Sequence, residues 1–210
     1  MNQSVNHAKD FWNQRYSQKE FIYGEKPNQY LKEKLEGLPV GRILLPAEGE
    51  GRNGVFAAWL GWKVSAFDQS EEGKRKAEQL AVKNQVHIDY QIADLENVRY
   101  PENTFDALAL VYAHFHSTAR RDYHRKLAGY VKKGGVLILE AFGKQHADNQ
   151  KQNPNAGGPR NFDMLYDLAG LKSDFEGFEL IESIETTIQL DEGNYHRGKA
   201  SVVRVYAIKQ

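Results

Sequence analysis

From about residue 42 onward, short apolar, β-branched runs alternate with longer stretches of helical periodicity, and this alternation restricts the fold more than any other feature. Residues 42–47 (RILLPA), 63–68 (KVSAFD), 87–94 (HIDYQIAD) and 105–113 (FDALALVYA) read as strands. Residues 135–142 (GVLILEAF) make a fifth, entered through the turn signal Gly134-Gly135. Between them the pattern predicts helices over 53–60, over 71–83 with Ala77, Leu80 and Ala81 on one face, and over 118–131 with Tyr123, Leu127 and Val131. Strand–helix–strand repetition builds βαβ units, whose parallel strands are buried on both faces. Two further strands, 179–190 and 201–209, are joined through 191–198 as a hairpin. The predicted fold is therefore α/β: a doubly wound, mostly parallel seven-stranded sheet with an antiparallel C-terminal hairpin and helices on both faces.

The remaining segments are polar or amphipathic. Residues 6–35 read as two amphipathic helices split at 23–28, where Pro27 before Asn28 marks a turn and a helix start. The 210 residues suit one domain, with 1–36 as an N-terminal helical cover and 37–210 as the sheet core. Residues 143–160 are rich in Asn, Gly and Pro and too long for an ordinary connection, which predicts a mobile lid or a disordered loop. A helix is expected over 163–172.

Composition excludes several chemistries. There is no cysteine, so disulfides, thiolate metal sites and cysteine nucleophiles are out. The 28 basic residues balance the 28 acidic ones, which leaves no net electrostatic footprint for nucleic acid. Basic clusters at 74–76, 120–121 and 132–133 lie in helical patterns and read as solvated faces. The N-terminus lacks the apolar core of a signal peptide, and no apolar run approaches the roughly 20 residues of a membrane span. The expectation is a soluble cytoplasmic protein with a small-molecule substrate and no membrane or nucleic-acid partner; the oligomeric state is open.

Three strand ends carry candidate ligand contacts. The first strand runs into Glu48-Gly49-Glu50-Gly51-Arg52-Asn53-Gly54 and then a helix, the place where nucleotide-like cofactors lie in doubly wound folds. A tight turn with glycines also arises for packing alone. Strand two ends in Asp68, 17 residues past Gly51, where a carboxylate can accept both hydroxyls of a ribose. Ser70 is available to cap the following helix, which leaves Asp68 for a ligand. Strand three ends in Asp94-Leu95, where the acid can accept from an adenine amino group and Leu95 offers a backbone donor.

The succession ILLPAEGEGRNG, VSAFDQS and IADLENVRYPENTFDALALVYAHFH resembles the motifs of the Rossmann-like S-adenosylmethionine-dependent methyltransferases. The resemblance covers roughly residues 40–142, and the terminal hairpin is similar to that family's ending. It implies S-adenosyl-L-methionine as cofactor, with Gly49 and Gly51 against its methionine part, Asp68 on the ribose, and Asp94 with Leu95 on the adenine. Gln69 beside Asp68, Ala113 at the end of strand four, and Glu48 and Arg52 of the turn complete the implied cofactor set. One departure is plain: the family's strand-one acid and first glycine align with Leu45 and Ala47.

The GEGRN turn resembles the tellurite-resistance and thiopurine methyltransferase relatives, whose N-terminal region packs over the cofactor. Trp12, Arg15, Tyr16 and Tyr23 are then candidate cover residues, or an aromatic stripe packed on the core. His114 and His116 follow strand four as candidate bases or polar wall residues, and Tyr23, Arg160 and His196 are candidates for the substrate rim. A metal site at His114, His116 and His124 lacks a carboxylate at recognisable spacing, so no metal is expected. The resemblance implies methyl transfer to a small acceptor such as a thiol or a chalcogen oxyanion of the tellurite or selenite type. The alternatives are an NAD-dependent oxidoreductase using the same turn, and a non-catalytic cofactor-binding domain.

Overall fold

The computed structural model describes residues 2–210, with side chains described from Ala8 onward. In chain order the elements are α1 (Asn2–Tyr16), α2 (Gln29–Leu35), β1 (Arg42–Pro46), α3 (Arg52–Trp59), β2 (Lys63–Asp68), α4 (Glu71–Lys83) and β3 (Asp89–Ile92). There follow β4 (Phe105–Val111), α5 (Ser117–Gly129), β5 (Val131–Phe142), α6 (His146–Gln152), α7 (Leu168–Asp174), β6 (Phe178–Glu192) and β7 (His196–Lys209). The seven strands lie in the order β3-β2-β1-β4-β5-β7-β6, with β1–β2, β2–β3 and β4–β5 parallel and β7 antiparallel to both β5 and β6. The predicted sheet is the observed one. The chain groups into two compact units, Met1–Arg99 and Tyr100–Gln210.

In the first unit, β1 and β2 are buried after their first residues, as expected of parallel strands covered on both sides. Helix α4 starts where Ser70 Oγ accepts the Gly73 amide at 3.0 Å, and turns Ala77, Leu80 and Ala81 inward. Helix α2 starts at Asn28, whose Oδ1 accepts the Leu31 amide at 3.0 Å. The linker between α1 and α2 spans residues 17–28, longer than the break expected at 23–28.

In the second unit, β5 begins four residues before the predicted start. Its pairing shifts register between Phe105 and Ala107, and this irregularity takes in Gly134 (φ 75°), so the turn signal lies inside the strand. Residues 143–160 are not a structureless loop. They hold α6, a 3₁₀ turn at Pro154–Ala156, and three buried side chains, His146, Gln150 and Ala156. The helix expected over 163–172 divides into a 3₁₀ turn at Phe162–Met164 and α7, which starts at Asp167 with Oδ1 on the Gly170 amide. Strand β6 carries Glu179, Glu182 and Glu185, charges that discourage another strand from pairing at the sheet edge.

Gly51 caps α3 in the left-handed region (φ 84°, ψ 7°), and a Cβ there would stand 2.5 Å from the Ala77 Cβ of α4. Gly51→Ala combines that overlap with backbone strain and is expected to cost about 2–4 kcal/mol, read as a lower denaturant midpoint. An unchanged midpoint would show that the turn and α4 do not press together as described.

Candidate active site

The turn after β1 is built around Glu48. Its Oε1 accepts the Asn53 amide at 3.0 Å and the Gly54 amide at 2.7 Å, so the carboxylate sits on donors at the start of α3. A helix start leaves such amides without partners, and its dipole favours an anion there. To bring Glu48 back over α3 the chain turns left-handed at Ala47 (φ 52°), the position where the resembling family has glycine, and again at Gly49 (φ 60°). Gly49 is crowded as well: Tyr90 donates its hydroxyl to the Gly49 carbonyl at 2.6 Å, and a Cβ would stand 2.5 Å from the Tyr16 hydroxyl.

Asp68, at the end of β2, is buried and already engaged. Oδ2 accepts the Gly49 amide at 3.1 Å and Oδ1 the Ser70 amide at 2.9 Å. Ser70 does cap α4, yet Asp68 is not left idle: it ties the turn to the exit of β2. A carboxylate has about four acceptor sites, so the Gly49 and Ser70 amides do not exhaust it. Half-buried Gln69 lies between Asp68 and the cap, and its backbone also stabilises the Asp68 carboxylate. Burial pushes the Glu48 carboxyl up to about 7, against the pull of the Gly54 amide and Arg52, and the Asp68 charge adds to the rise. Burial likewise pushes Asp68 up to about 6. Asp94 closes the turn after β3 by accepting the amide and side-chain nitrogens of Asn97, with Leu95 buried next to it.

The N-terminal segment covers this turn. Tyr16 lies on Gly49, Trp12 stacks on Tyr16 (5.3 Å, 21°), and the Arg15 guanidinium lies 4.7 Å from the centre of the Phe11 ring and donates to the Tyr23 hydroxyl at 3.3 Å. Arg52 turns to the linker carbonyls of Tyr23 and Lys26, 3.4 Å each. Sequence reasoning missed Asn13, whose Oδ1 accepts from Ser70 Oγ at 2.7 Å, and Tyr90. It also missed Lys76 and Glu50, a buried ion pair at 2.8 Å. Lys76 had a legible signal: it falls on the inward stripe of α4 between Gly73 and Leu80, where a charge needs a partner.

In the second unit the loops after β4 and β5 are braced by rings. His114 Nδ1 meets the Met164 carbonyl at 2.7 Å, and Nε2 accepts the Phe142 amide at 3.1 Å. The ring is thus a neutral imidazole with both nitrogens spent on main chain, and burial pushes its pKa down to about 4. That removes His114 as a base. His116 is exposed and caps α5 through Nδ1 on Thr118. Tyr166 donates to the Ala113 carbonyl at 2.8 Å and accepts the Phe115 amide, which fixes the backbone around Ala113. Arg160 reaches back to the carbonyls of Gln150 and Pro154, so it braces its own segment. His196 is buried with Nδ1 3.2 Å from Glu192 and its ring edge-on to Tyr112 and Phe142.

Residues 47–139 match the family described as a methyltransferase domain. No curated protein sequence matches the chain. Among solved structures, one from work on the conversion of a disulfide bond into a thioacetal group during echinomycin biosynthesis has a TM-score of 0.78 at 18% identity, covering 97% of this chain and 92% of its own. TehB from Haemophilus influenzae gives 0.70 at 16%, covering 96% of this chain and 67% of its own. Magnesium protoporphyrin IX methyltransferase (ChlM) from Synechocystis PCC 6803 with bound SAH gives 0.69 at 14%, covering 98% and 99%. The fold is that of the α/β methyltransferases. The matched methyltransferase domain begins at Ala47 and takes in the whole turn, Asp68, Asp94 and Ala113. No helix among the described residues is long and apolar enough to cross a membrane.

Two predictions follow from the charges. Glu48 and Asp68 hold their protons more tightly folded than unfolded, so the stability these two groups contribute is fully present below the ordinary carboxylate range and is lost as pH rises through about 6 to 7. Glu48→Gln keeps an acceptor for both amides without the charge and should flatten that fall between pH 5 and 8 by roughly 1–3 kcal/mol. An unaltered slope in urea titrations would contradict it. His114→Ala strands the Phe142 amide and the Met164 carbonyl and should cost about 2–4 kcal/mol in unfolding free energy; a neutral effect would place the ring outside the structural network.

Proposed function

We propose that the chain transfers a methyl group from S-adenosyl-L-methionine to a small acceptor. The observation that carries this reading is the Glu48 carboxylate seated on the α3 amides. In dinucleotide-binding folds a helix start at this position takes the cofactor's pyrophosphate. Here an anion of the protein is already there, and the buried Asp68 carboxylate stands on the adjoining Gly49 amide. Two buried carboxylates at one turn oppose a pyrophosphate and suit a ligand that is cationic at one end and carries ribose hydroxyls. The NAD-dependent alternative is disfavoured on that ground.

The residues present fit such a cofactor. Asp68 would accept from the ribose, the turn at Glu48, Gly49 and Gly51 would lie against the methionine part, Asp94 with Leu95 would take the adenine end, and the Trp12–Tyr16 stack would form the cover. The cofactor supplies an activated methyl group on a sulfonium, which leaves the protein to orient the acceptor and exclude water. An amine or hydroxyl acceptor benefits from a general base. His114 has no free nitrogen for that task, and His116 is exposed. We therefore favour an acceptor that arrives as a soft anion, a thiolate or a chalcogen oxyanion, which needs no general base. Of the candidates for the substrate rim, the Tyr23 hydroxyl takes Arg15, and His196 is buried on Glu192. Arg160 is spent within its own segment.

Calorimetric titration tests the proposal. S-adenosylhomocysteine should bind and NAD should not, and Asp68→Ala should weaken binding by about tenfold to a hundredfold, or roughly 1.5–3 kcal/mol, without unfolding the protein. Binding of NAD with no response to S-adenosylhomocysteine would overturn the reading.

A further inference from the structure

Residues 17–28 have neither helix nor strand of their own beyond isolated turns, yet their backbone is held at many points by the turn after β1. Glu50 Oε2 accepts the Ile22 amide at 2.8 Å and the Tyr23 amide at 3.4 Å. Its Oε1 accepts from Lys76 Nζ at 2.8 Å, and the same ammonium donates to the Glu20 carbonyl at 2.5 Å. Arg52 takes the carbonyls of Tyr23 and Lys26, and Asn53 Oδ1 accepts the Asn28 amide at 2.9 Å. Glu50, Arg52 and Asn53 each turn a polar side-chain atom to the linker.

The contacts close a circuit. From the turn, Glu50 fixes Tyr23; the Tyr23 hydroxyl takes Arg15; Arg15 lies beside the rings of Phe11 and Trp12; Trp12 stacks on Tyr16; and Tyr16 returns to Gly49. The ion pair at its base is almost wholly buried, with side-chain exposures of 2% for Lys76 and 3% for Glu50. A pair buried to that extent adds little net stability over an apolar pair of the same shape, because desolvation offsets the attraction. What it does supply is geometry: the pair ties both charges to three backbone groups of the linker, the Ile22 and Tyr23 amides and the Glu20 carbonyl.

We propose that Glu50 and Lys76 are positioning residues that latch the 20–28 strap over the turn, so that the strap and the Trp12–Tyr16 cover open and close as one unit and set how long the cofactor is held. The proposal rests on the methyl-transfer reading for the identity of the ligand, but the latch itself is defined without it. Neither side chain needs to touch the cofactor.

The test uses the full chain with Glu50→Gln and, because a lone buried Lys76 charge endangers folding, the double variant Glu50→Gln/Lys76→Met. Amide exchange followed residue by residue, S-adenosylhomocysteine binding, and the separation of KM from kcat are measured on each. The latch predicts that the Ile22 and Tyr23 amides exchange at least tenfold faster while those of α4 do not change. It also predicts that S-adenosylhomocysteine dissociates tenfold or more faster, and that KM for S-adenosylmethionine rises with kcat within about threefold. A merely structural pair would lower the melting temperature and kcat together. Unchanged exchange at Ile22 and Tyr23 in the folded double variant overturns the latch, and fast exchange with an unchanged dissociation rate overturns its link to the cofactor. If the wild-type chain binds no S-adenosylhomocysteine, the methyl-transfer reading falls, and the link to the cofactor falls with it.

Discussion

The Glu48 carboxylate, accepting the Asn53 and Gly54 amides at the start of α3, is the contact on which the rest of the first unit depends. It satisfies main-chain donors that a buried helix start cannot leave open, and it forces the left-handed turn through Ala47 and Gly49. That turn directs the Gly49 amide to Asp68 and its carbonyl to Tyr90. Glu48 thereby sets the shape of the turn and, with Asp68, its charge. The same carboxylate that completes the helix occupies the amides a pyrophosphate would need, so on the methyl-transfer proposal the choice between two cofactor classes falls to a structural hydrogen bond rather than to a residue reserved for the ligand.

The second unit is organised by neutral imidazoles. His114 bridges the Met164 carbonyl and the Phe142 amide, and His146 bridges the Gly157 carbonyl and the Ser201 amide, with Phe142 stacked against both rings. Each ring joins segments far apart in sequence while satisfying one donor and one acceptor. Burial pushes the pKa of both downward, which keeps the neutral form that such a bridge requires. His114 after β4 and His146 after β5 thus act as cross-braces, and on the methyl-transfer proposal the chemistry left to the chain is that of orientation and exclusion of water.

The sheet was legible because β1, β2, β4 and β5 are largely buried apolar runs and the helices between them are amphipathic; the boundaries of α4, 71–83, are those of the pattern. Asp68 and the glycine turn were legible for the same reason, since topology alone places them at strand ends. The function of individual side chains was less so. Gly51 answers to Ala77 in α4, a contact no spacing reveals. Residues 143–160 looked structureless because they are polar, but their polar groups bond inward: Gln150 to the carbonyls of Gly157 and Pro159, and Asn153 to the carbonyl of Arg197. His114 looked like a base because sequence shows a residue's type and not the partners of its nitrogens. Glu50 passed for one more acid in a turn until the linker was seen to lie on it.

The central claim, that a buried and partly protonated Glu48 reserves this turn for a cationic ligand, is tested most directly by calorimetry of S-adenosylmethionine binding at pH 7 in buffers of different ionisation enthalpy. With the Glu48 carboxyl near 7, a cation arriving at the turn drives off roughly half a proton, which appears as a buffer-dependent heat and is absent in Glu48→Gln. Proton uptake, or a release that persists in Glu48→Gln, would contradict the account.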